Sequence, residues 1–241
     1  MNIIKDVIKK LDSLLFPPVC IQCKTAIYTK GSLCVDCFSQ IEFIIDPKCF
    51  ICSNPFSYDP IIENPVCANC LSSEIFYEKI YTLYNYKTAT KELIKKFKYN
   101  DQYFIGEFFA KKMVDSYSLE LSSCDIIIPV PMNRMKRMIR FYNQTEVFAD
   151  YLSYLINLNI QKNILYKKTW KSSQVGYSKI ARMENIKNSF EINNPKLIEN
   201  KKIGLIDDVI TTGATVNECS RILKKKGASS VVCFSIARTT F

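Results

Sequence analysis

The chain contains no histidine. That excludes Ser-His-Asp and Cys-His catalytic sets, Cys₂His₂ zinc sites and HExxH proteases. It also removes the side chain that most often serves as a base near neutral pH. Glycine is scarce: six in 241 residues, at positions 31, 106, 176, 204, 213 and 227. No two lie two apart, so there is no GxG dinucleotide fingerprint, and no P-loop spacing occurs. No apolar run reaches the ~18 residues that a membrane span needs. Near the N-terminus, Ile3, Ile4, Val7, Ile8, Leu11, Leu14 and Leu15 share one helical face ahead of Pro17 and Pro18. Lys5, Asp6, Lys9 and Lys10 interrupt any apolar core there, so the segment reads as a packing helix and not a signal peptide. The expected location is the cytoplasm.

Cysteine, by contrast, is abundant and not scattered. Eight of eleven fall into four Cys-x-x-Cys pairs: Cys20/Cys23, Cys34/Cys37, Cys49/Cys52 and Cys67/Cys70. Each pair sets two thiolates about one tetrahedral edge apart, and two pairs complete a four-sulfur shell for Zn²⁺. Eight cysteines fill two such shells, all-sulfur because histidine is missing. Closed Cys₄ sites are structural, since no coordination position stays open. Sequential pairing, 20/23/34/37 and 49/52/67/70, matches tandem zinc ribbons; interleaved pairing is the alternative. An iron–sulfur cluster also takes four cysteines. A disulfide framework needs an oxidising compartment, and a thioredoxin-type pair is usually single. Cys124, Cys219 and Cys233 show no pairing pattern and read as small buried hydrophobes.

The knuckles stop near residue 75, and the pattern becomes α/β. Strands are expected over 80–86, 125–130, 202–207 and 230–237. Helices are expected over 88–98, 103–114, 143–156 and 214–226. Apolar strands alternating with helices point to a parallel sheet covered on both faces, with ligands bound at the strand carboxyl ends. The chain is therefore divided into residues 1–75, a helix and metal module, and residues 76–241, an α/β domain. Charge divides with it. Lys and Arg number six against eight Asp and Glu in the first part, and 27 against 15 in the second. The net charge of +10 is thus concentrated in the α/β domain and calls for an anionic partner there.

The most informative segment is 203–215, Ile-Gly-Leu-Ile-Asp-Asp-Val-Ile-Thr-Thr-Gly-Ala-Thr. A buried strand is expected to end in Asp207 and Asp208, followed by a turn and a helix. A helix N-terminus offers unpaired N–H groups to a phosphate. Gly213 lets backbone approach it. Thr211, Thr212 and Thr215 add hydroxyls. The carboxylates can accept from a vicinal diol and hold Mg²⁺ waters.

This segment resembles the PRPP-binding motif of type I phosphoribosyltransferases. The order of the whole chain resembles the ComF family: a helix into Phe16-Pro17-Pro18, four Cys-x-x-Cys knuckles, Tyr84-x-Tyr86, the 93–99 run Leu-Ile-Lys-Lys-Phe-Lys-Tyr, Pro129-Val130-Pro131, and the acidic loop. The resemblance implies a type I phosphoribosyltransferase-like sheet flanked by helices behind a double zinc ribbon. It implies Mg²⁺-dependent binding of PRPP or a related ribose phosphate by Asp207, Asp208, Thr211, Thr212, Gly213, Ala214 and Thr215, with the two aspartates also the catalytic candidates. Val130, Pro131, Arg134, Arg137 and Arg140, with Lys136, match the pyrophosphate segment; guanidinium forks suit phosphate oxygens. Where the family usually carries Arg-Gly-Phe-Asn-Gln, this chain has Arg140-Phe141-Tyr142-Asn143-Gln144. Residues 167–190 match the family's mobile loop, with Lys168, Thr169, Gln174, Arg182, Asn185 and Phe190 in order. The resemblance further implies a role in DNA uptake, handling single-stranded DNA beside a helicase. The interleaved Lys95, Lys96, Phe97, Lys98 and Tyr99 offer a basic, aromatic surface for it, although Phe97 also fits a core position. The competing expectation is a non-catalytic DNA-binding or adaptor protein.

Overall fold

The computed structural model describes residues 17–99, 102–132, 142–168, 187 and 189–240. The N-terminal amphipathic segment, Arg134, Lys136, Arg137, Arg140, Phe141, Thr169, Gln174, Arg182 and Asn185 lie outside the described residues.

Two short helices, α1 (Val35–Ser39) and α2 (Ala68–Leu71), punctuate an otherwise irregular stretch that ends near residue 78. The α/β part then runs β1 (Lys79–Asn85), α3 (Thr88–Tyr99), α4 (Phe104–Ser122), β2 (Ile126–Pro129), α5 (Gln144–Ile156), β3 (Leu165–Lys167), β4 (Phe190–Ile192), a 3₁₀ turn Pro195–Leu197, β5 (Lys202–Ile210), α6 (Ala214–Lys225) and β6 (Ser230–Arg238). Four strands form a sheet in the order β1-β6-β5-β2, all parallel. β5 and β6 are buried over most of their length, as near-continuous apolar strands in a doubly covered parallel sheet should be. Gly204 in β5 is a packing requirement. A Cβ there would lie 2.4 Å from Ile127 Cδ1 and 3.1 Å from Cys124 Sγ, so only glycine lets β2 lie this close.

Two buried clusters occupy the two faces. One joins Leu93, Ile94 and Phe97 of α3, Phe109 and Met113 of α4 and Phe148 of α5 to Ile206 and Phe234. The other joins Val216, Cys219 and Leu223 of α6 to Ile203, Leu205 and Cys233. Cys219 and Cys233 are fully buried, in keeping with their reading as small hydrophobes.

Three elements differ from the sequence expectation. α4 continues to Ser122 across a kink at Tyr117 (φ −141°, ψ 32°), where the tyrosine hydroxyl donates to the Thr82 carbonyl at 3.0 Å. A small antiparallel pair, β3–β4, was not foreseen; its three-residue strands are too short to show a period. β5 does not end at the acidic pair but runs on to Ile210, because Val209 and Ile210 keep laddering with Ala237 and Arg238 of β6.

Both outer edges of the sheet are covered. At the β1 edge, Ile44 N–H donates to the Leu83 carbonyl and Asn85 N–H to the Glu42 carbonyl, at 2.9 and 2.8 Å. At the β2 edge, residues 159–161 make the equivalent bonds to Ile127. Covered edges cannot recruit foreign strands.

Candidate functional site: an acidic loop above two cysteine tetrads

The cysteines assemble sequentially. Cys20, Cys23, Cys34 and Cys37 form one group and Cys49, Cys52, Cys67 and Cys70 the other, with the sulfurs of each within 4.8 Å of one another. Corners of a tetrahedron built on ~2.3 Å Zn–S bonds lie about 3.8 Å apart. Cys23–Cys34, Cys52–Cys67 and Cys49–Cys70 sulfurs are separated by 3.6, 3.7 and 3.9 Å. Backbone N–H groups of Gln22, Cys37 and Cys67 point at Cys20, Cys34 and Cys49 Sγ from 3.3–3.4 Å, as suits thiolates. Four thiols this close cannot all ionise without a counter-charge. In the second group, hydrogen bonding, chiefly with Cys52, pulls Cys49 down to about 4, while burial pushes Cys70 up to about 12. A dication resolves that conflict, and both donor sets fit Zn²⁺.

The two groups are built as a repeat. Cys20 N–H donates to the Thr25 carbonyl and Cys49 N–H to the Asn54 carbonyl, both at 2.8 Å. Lys24 and Ser53, each directly after its knuckle, have φ of 69° and 58°. Antiparallel bridges Val19–Ala26 and Lys48–Pro55 close the two ribbons. Cys34 and Cys67 stand at the N-caps of α1 and α2, so the second knuckle of each group rides on a helical turn.

The acidic loop sits at the carboxyl end of the sheet's centre. Because β5 continues through it, Asp207 and Asp208 point to opposite faces of the strand. Asp208 faces α3 and pairs with Lys98 at 2.7 Å; the two side chains are only 13% and 15% exposed. Asp207 lies on the α6 face, where its carboxylate accepts Asp208 N–H at 2.8 Å. Burial, then the neighbouring Asp208 charge, pushes Asp207 up to about 7. Thr211 and Thr212 are exposed, and Gly213, Ala214 and Thr215 partly so. Gly213 has φ +80° and caps a 12-residue helix. That left-handed geometry is the physical reason for glycine there. The Tyr77 hydroxyl lies alongside, 3.6 Å from where a Cβ would be.

Of the expected pyrophosphate segment, Val130 and Pro131 lie beside this loop. Val130 N–H donates to the Ile206 carbonyl at 2.8 Å, and the Val130 carbonyl accepts from Thr145 Oγ1 at 2.9 Å. Val130 is buried with its backbone engaged, so Pro131, partly exposed, is the member nearer solvent. The Tyr142-Asn143-Gln144 stretch ties α5 to α3. Tyr142 donates to the Phe97 carbonyl, Gln144 to the Lys98 carbonyl at 3.2 Å, and Asn143 caps α5 by accepting Thr145 N–H at 3.2 Å.

The basic-aromatic run is split: Lys95 and Tyr99 are exposed, and the other three members are engaged. Phe97 is fully buried, Lys98 is paired, and Lys96 Nζ donates to the Gln22 carbonyl. Lys98 is the site residue that sequence reasoning misplaced. Its signal was there: Lys98 lies four residues after Ile94, on the same inward face. Asn217 was also missed. The stem of the 167–190 loop is visible as β3–β4, with Lys168 N–H donating to the Ser189 carbonyl at 2.8 Å.

Two cysteine tetrads joined to a parallel sheet with an acidic strand-loop-helix define a zinc-ribbon protein with a phosphoribosyltransferase-type domain. Family models agree: the double zinc ribbon domain matches residues 11–71 and the phosphoribosyl transferase domain residues 146–239. Competence protein F of Haemophilus influenzae is 30% identical over 226 residues, covering 91% of this chain and 96% of its own length. Competence protein ComFC of Bacillus subtilis is 27% identical over 86% of this chain and 84% of its own. DNA utilization protein YhgH of Escherichia coli K12 is 24% identical over 72% of this chain and 78% of its own. The chain belongs to the ComF family. Among the described residues, no helix is long and apolar enough to cross a membrane.

Proposed function

We propose that the acidic loop binds PRPP or a related ribose phosphate together with Mg²⁺, and that this binding serves the handling of DNA. The observation that carries the reading is a left-handed Gly213 opening a 12-residue helix five residues after a pair of carboxylates, at the carboxyl edge of a parallel sheet. The helix N-terminus and the hydroxyls of Thr211, Thr212 and Thr215 suit the monoester phosphate. Asp207 and Asp208 suit the ribose hydroxyls. By the family resemblance, Val130, Pro131, Arg134, Arg137 and Arg140 are the residues assigned to the pyrophosphate. Asp207 and Asp208 are hard oxygen donors and suit Mg²⁺ far better than a soft metal; bound there, the ion would neutralise charge developing on pyrophosphate. Lys98 holds Asp208 while no ligand competes for it.

In this reading residues 1–75 are a metal-held module and residues 76–241 the ligand-binding domain. DNA handling rests on the names of the relatives, competence proteins and DNA utilization proteins. Turnover requires a base, and Asp207, which burial pushes up to about 7, is our candidate for it. Two measurements test the reading. PRPP with Mg²⁺ should raise the melting temperature in a concentration-dependent way, as any ligand of the folded state does. Incubation of PRPP with bases and with single-stranded DNA should then show whether pyrophosphate is released. No thermal shift at millimolar PRPP would refute binding.

A further inference from the structure

The two metal ribbons grip different walls of the candidate site. The first is held by α3: Gln22, inside the Cys20–Cys23 knuckle, donates through Nε2 to Glu92 at 2.6 Å, and its carbonyl accepts from Lys96. The last turn of α3 carries Lys98, the partner of Asp208.

The second ribbon is held on either side of the acidic loop. Before the loop, Ile210 is in register with Arg238, and Thr239 N–H donates to the Ile210 carbonyl at 2.9 Å. Arg238 is 2% exposed, and its guanidinium donates to the carbonyl of Cys52, a ligand of the second tetrad. After the loop, Asn217 N–H closes the first helical bond to the Gly213 carbonyl at 2.9 Å. The Asn217 side chain then crosses to the irregular segment leaving Cys70. Its Oδ1 accepts Phe76 N–H and its Nδ2 donates to the Glu74 carbonyl, each at 2.8 Å. Helix formation requires neither bond, and both side-chain arms go to backbone more than 140 residues away.

We propose that the second metal ribbon fixes the position of the acidic loop, with Asn217 and Arg238 as the positioning residues. The ligand part of this inference rests on the ribose-phosphate reading above; the mechanical part does not. Hydrogen–deuterium exchange of the full-length, zinc-loaded protein separates them. Asn217→Ala should speed amide exchange over residues 211–217 about tenfold, the size expected for losing two hydrogen bonds of ordinary net worth. Zinc content and melting temperature should barely change. Asn217→Asp, which keeps the acceptor for Phe76 N–H, should recover part of the protection. Cys67→Ser should loosen 211–217 and spare 88–99, and Cys34→Ser should do the reverse. Unchanged exchange at 211–217 in Asn217→Ala would overturn the proposal, and so would equal loosening of both segments by either cysteine variant. Where the cysteine variants do not fold, Asn217→Ala decides alone. Titrated with PRPP and Mg²⁺, Asn217→Ala should bind about tenfold more weakly than wild type. If wild type binds no PRPP, the ribose-phosphate reading falls, while the exchange result still decides the mechanical claim.

Discussion

The metal module and the sheet domain solve the same problem by different physics. Among the described residues of the module the helices are five and four residues long, and Tyr28, Val35, Ile45, Tyr58, Ile61, Ile62 and Leu71 all remain largely exposed. So little apolar burial cannot offset the chain entropy of ordering such a stretch. Its buried apolar set is small: four ligands, Cys20, Cys37, Cys49 and Cys52, and four aliphatics, Ile21, Leu33, Ile41 and Ile44. The sheet domain buries Tyr84, Phe97, Phe109, Phe148 and Phe234 completely, a core of its own that coordination does not supply. Stability therefore comes from coordination in one region and from packing in the other. The lesson is that the two should fail under different insults.

The largest effect should follow metal removal. A structural Zn²⁺ site is worth on the order of 10 kcal/mol at neutral pH. Chelation, or Cys49→Ser, should unfold the ribbon concerned, seen as zinc falling below two per chain and as collapse of amide protection in residues 17–75. The central strands β5 and β6 should keep theirs. Loss of β5 and β6 protection together with the metal would break the comparison. Gly204→Ala is the converse insult. The added methyl collides with Ile127 and Cys124 in a packed core and should cost about 2–3 kcal/mol. The melting temperature should fall while both metals stay bound.

A smaller effect follows from Asp207. Its folded-state value, pushed up to about 7, lies above the ~3.9 of an unfolded aspartate. The neutral form is the one the fold favours. Its contribution is fully present below pH 4 and is lost as pH rises through 7. Asp207→Asn should match wild-type stability near pH 4 and exceed it by a margin that grows up to pH 8, measured by denaturant midpoint without ligand. A constant difference across that range would remove burial as the cause. The smallest effect should come from Gly213→Ala, about 1 kcal/mol for a non-glycine residue at φ +80°. Ligand affinity should suffer more than stability, because the strain falls on the loop itself.

Sequence reasoning reached the parts whose signals are local. Paired cysteines and apolar strand runs exposed both tetrads and the order of strands and helices. The acidic loop was visible because strand, turn and helix each carried their own chemistry. What escaped was tertiary. The end of β5 is set by its ladder with β6, not by the polarity of Asp207 and Asp208, so the carboxylates lie within the strand and face opposite sides. Lys98 looked like part of a solvated basic run until its partner was in place. The roles of Asn217 and Arg238 depend on the second ribbon lying against β1 and β6, and no residue spacing reports that docking. The tandem ribbons were legible from the four knuckles, whereas their shared backbone geometry at Lys24 and Ser53 was not.

The central claim is that the acidic loop is a ribose-phosphate site in the sheet domain. Calorimetric titration of PRPP with Mg²⁺ into wild type and into the Asp207→Asn/Asp208→Asn double variant tests it most directly. The account predicts saturable, Mg²⁺-dependent heat from wild type, little or none from the double variant, and two zinc ions per chain in both. Equal heats from the two proteins, or none from wild type, would contradict it.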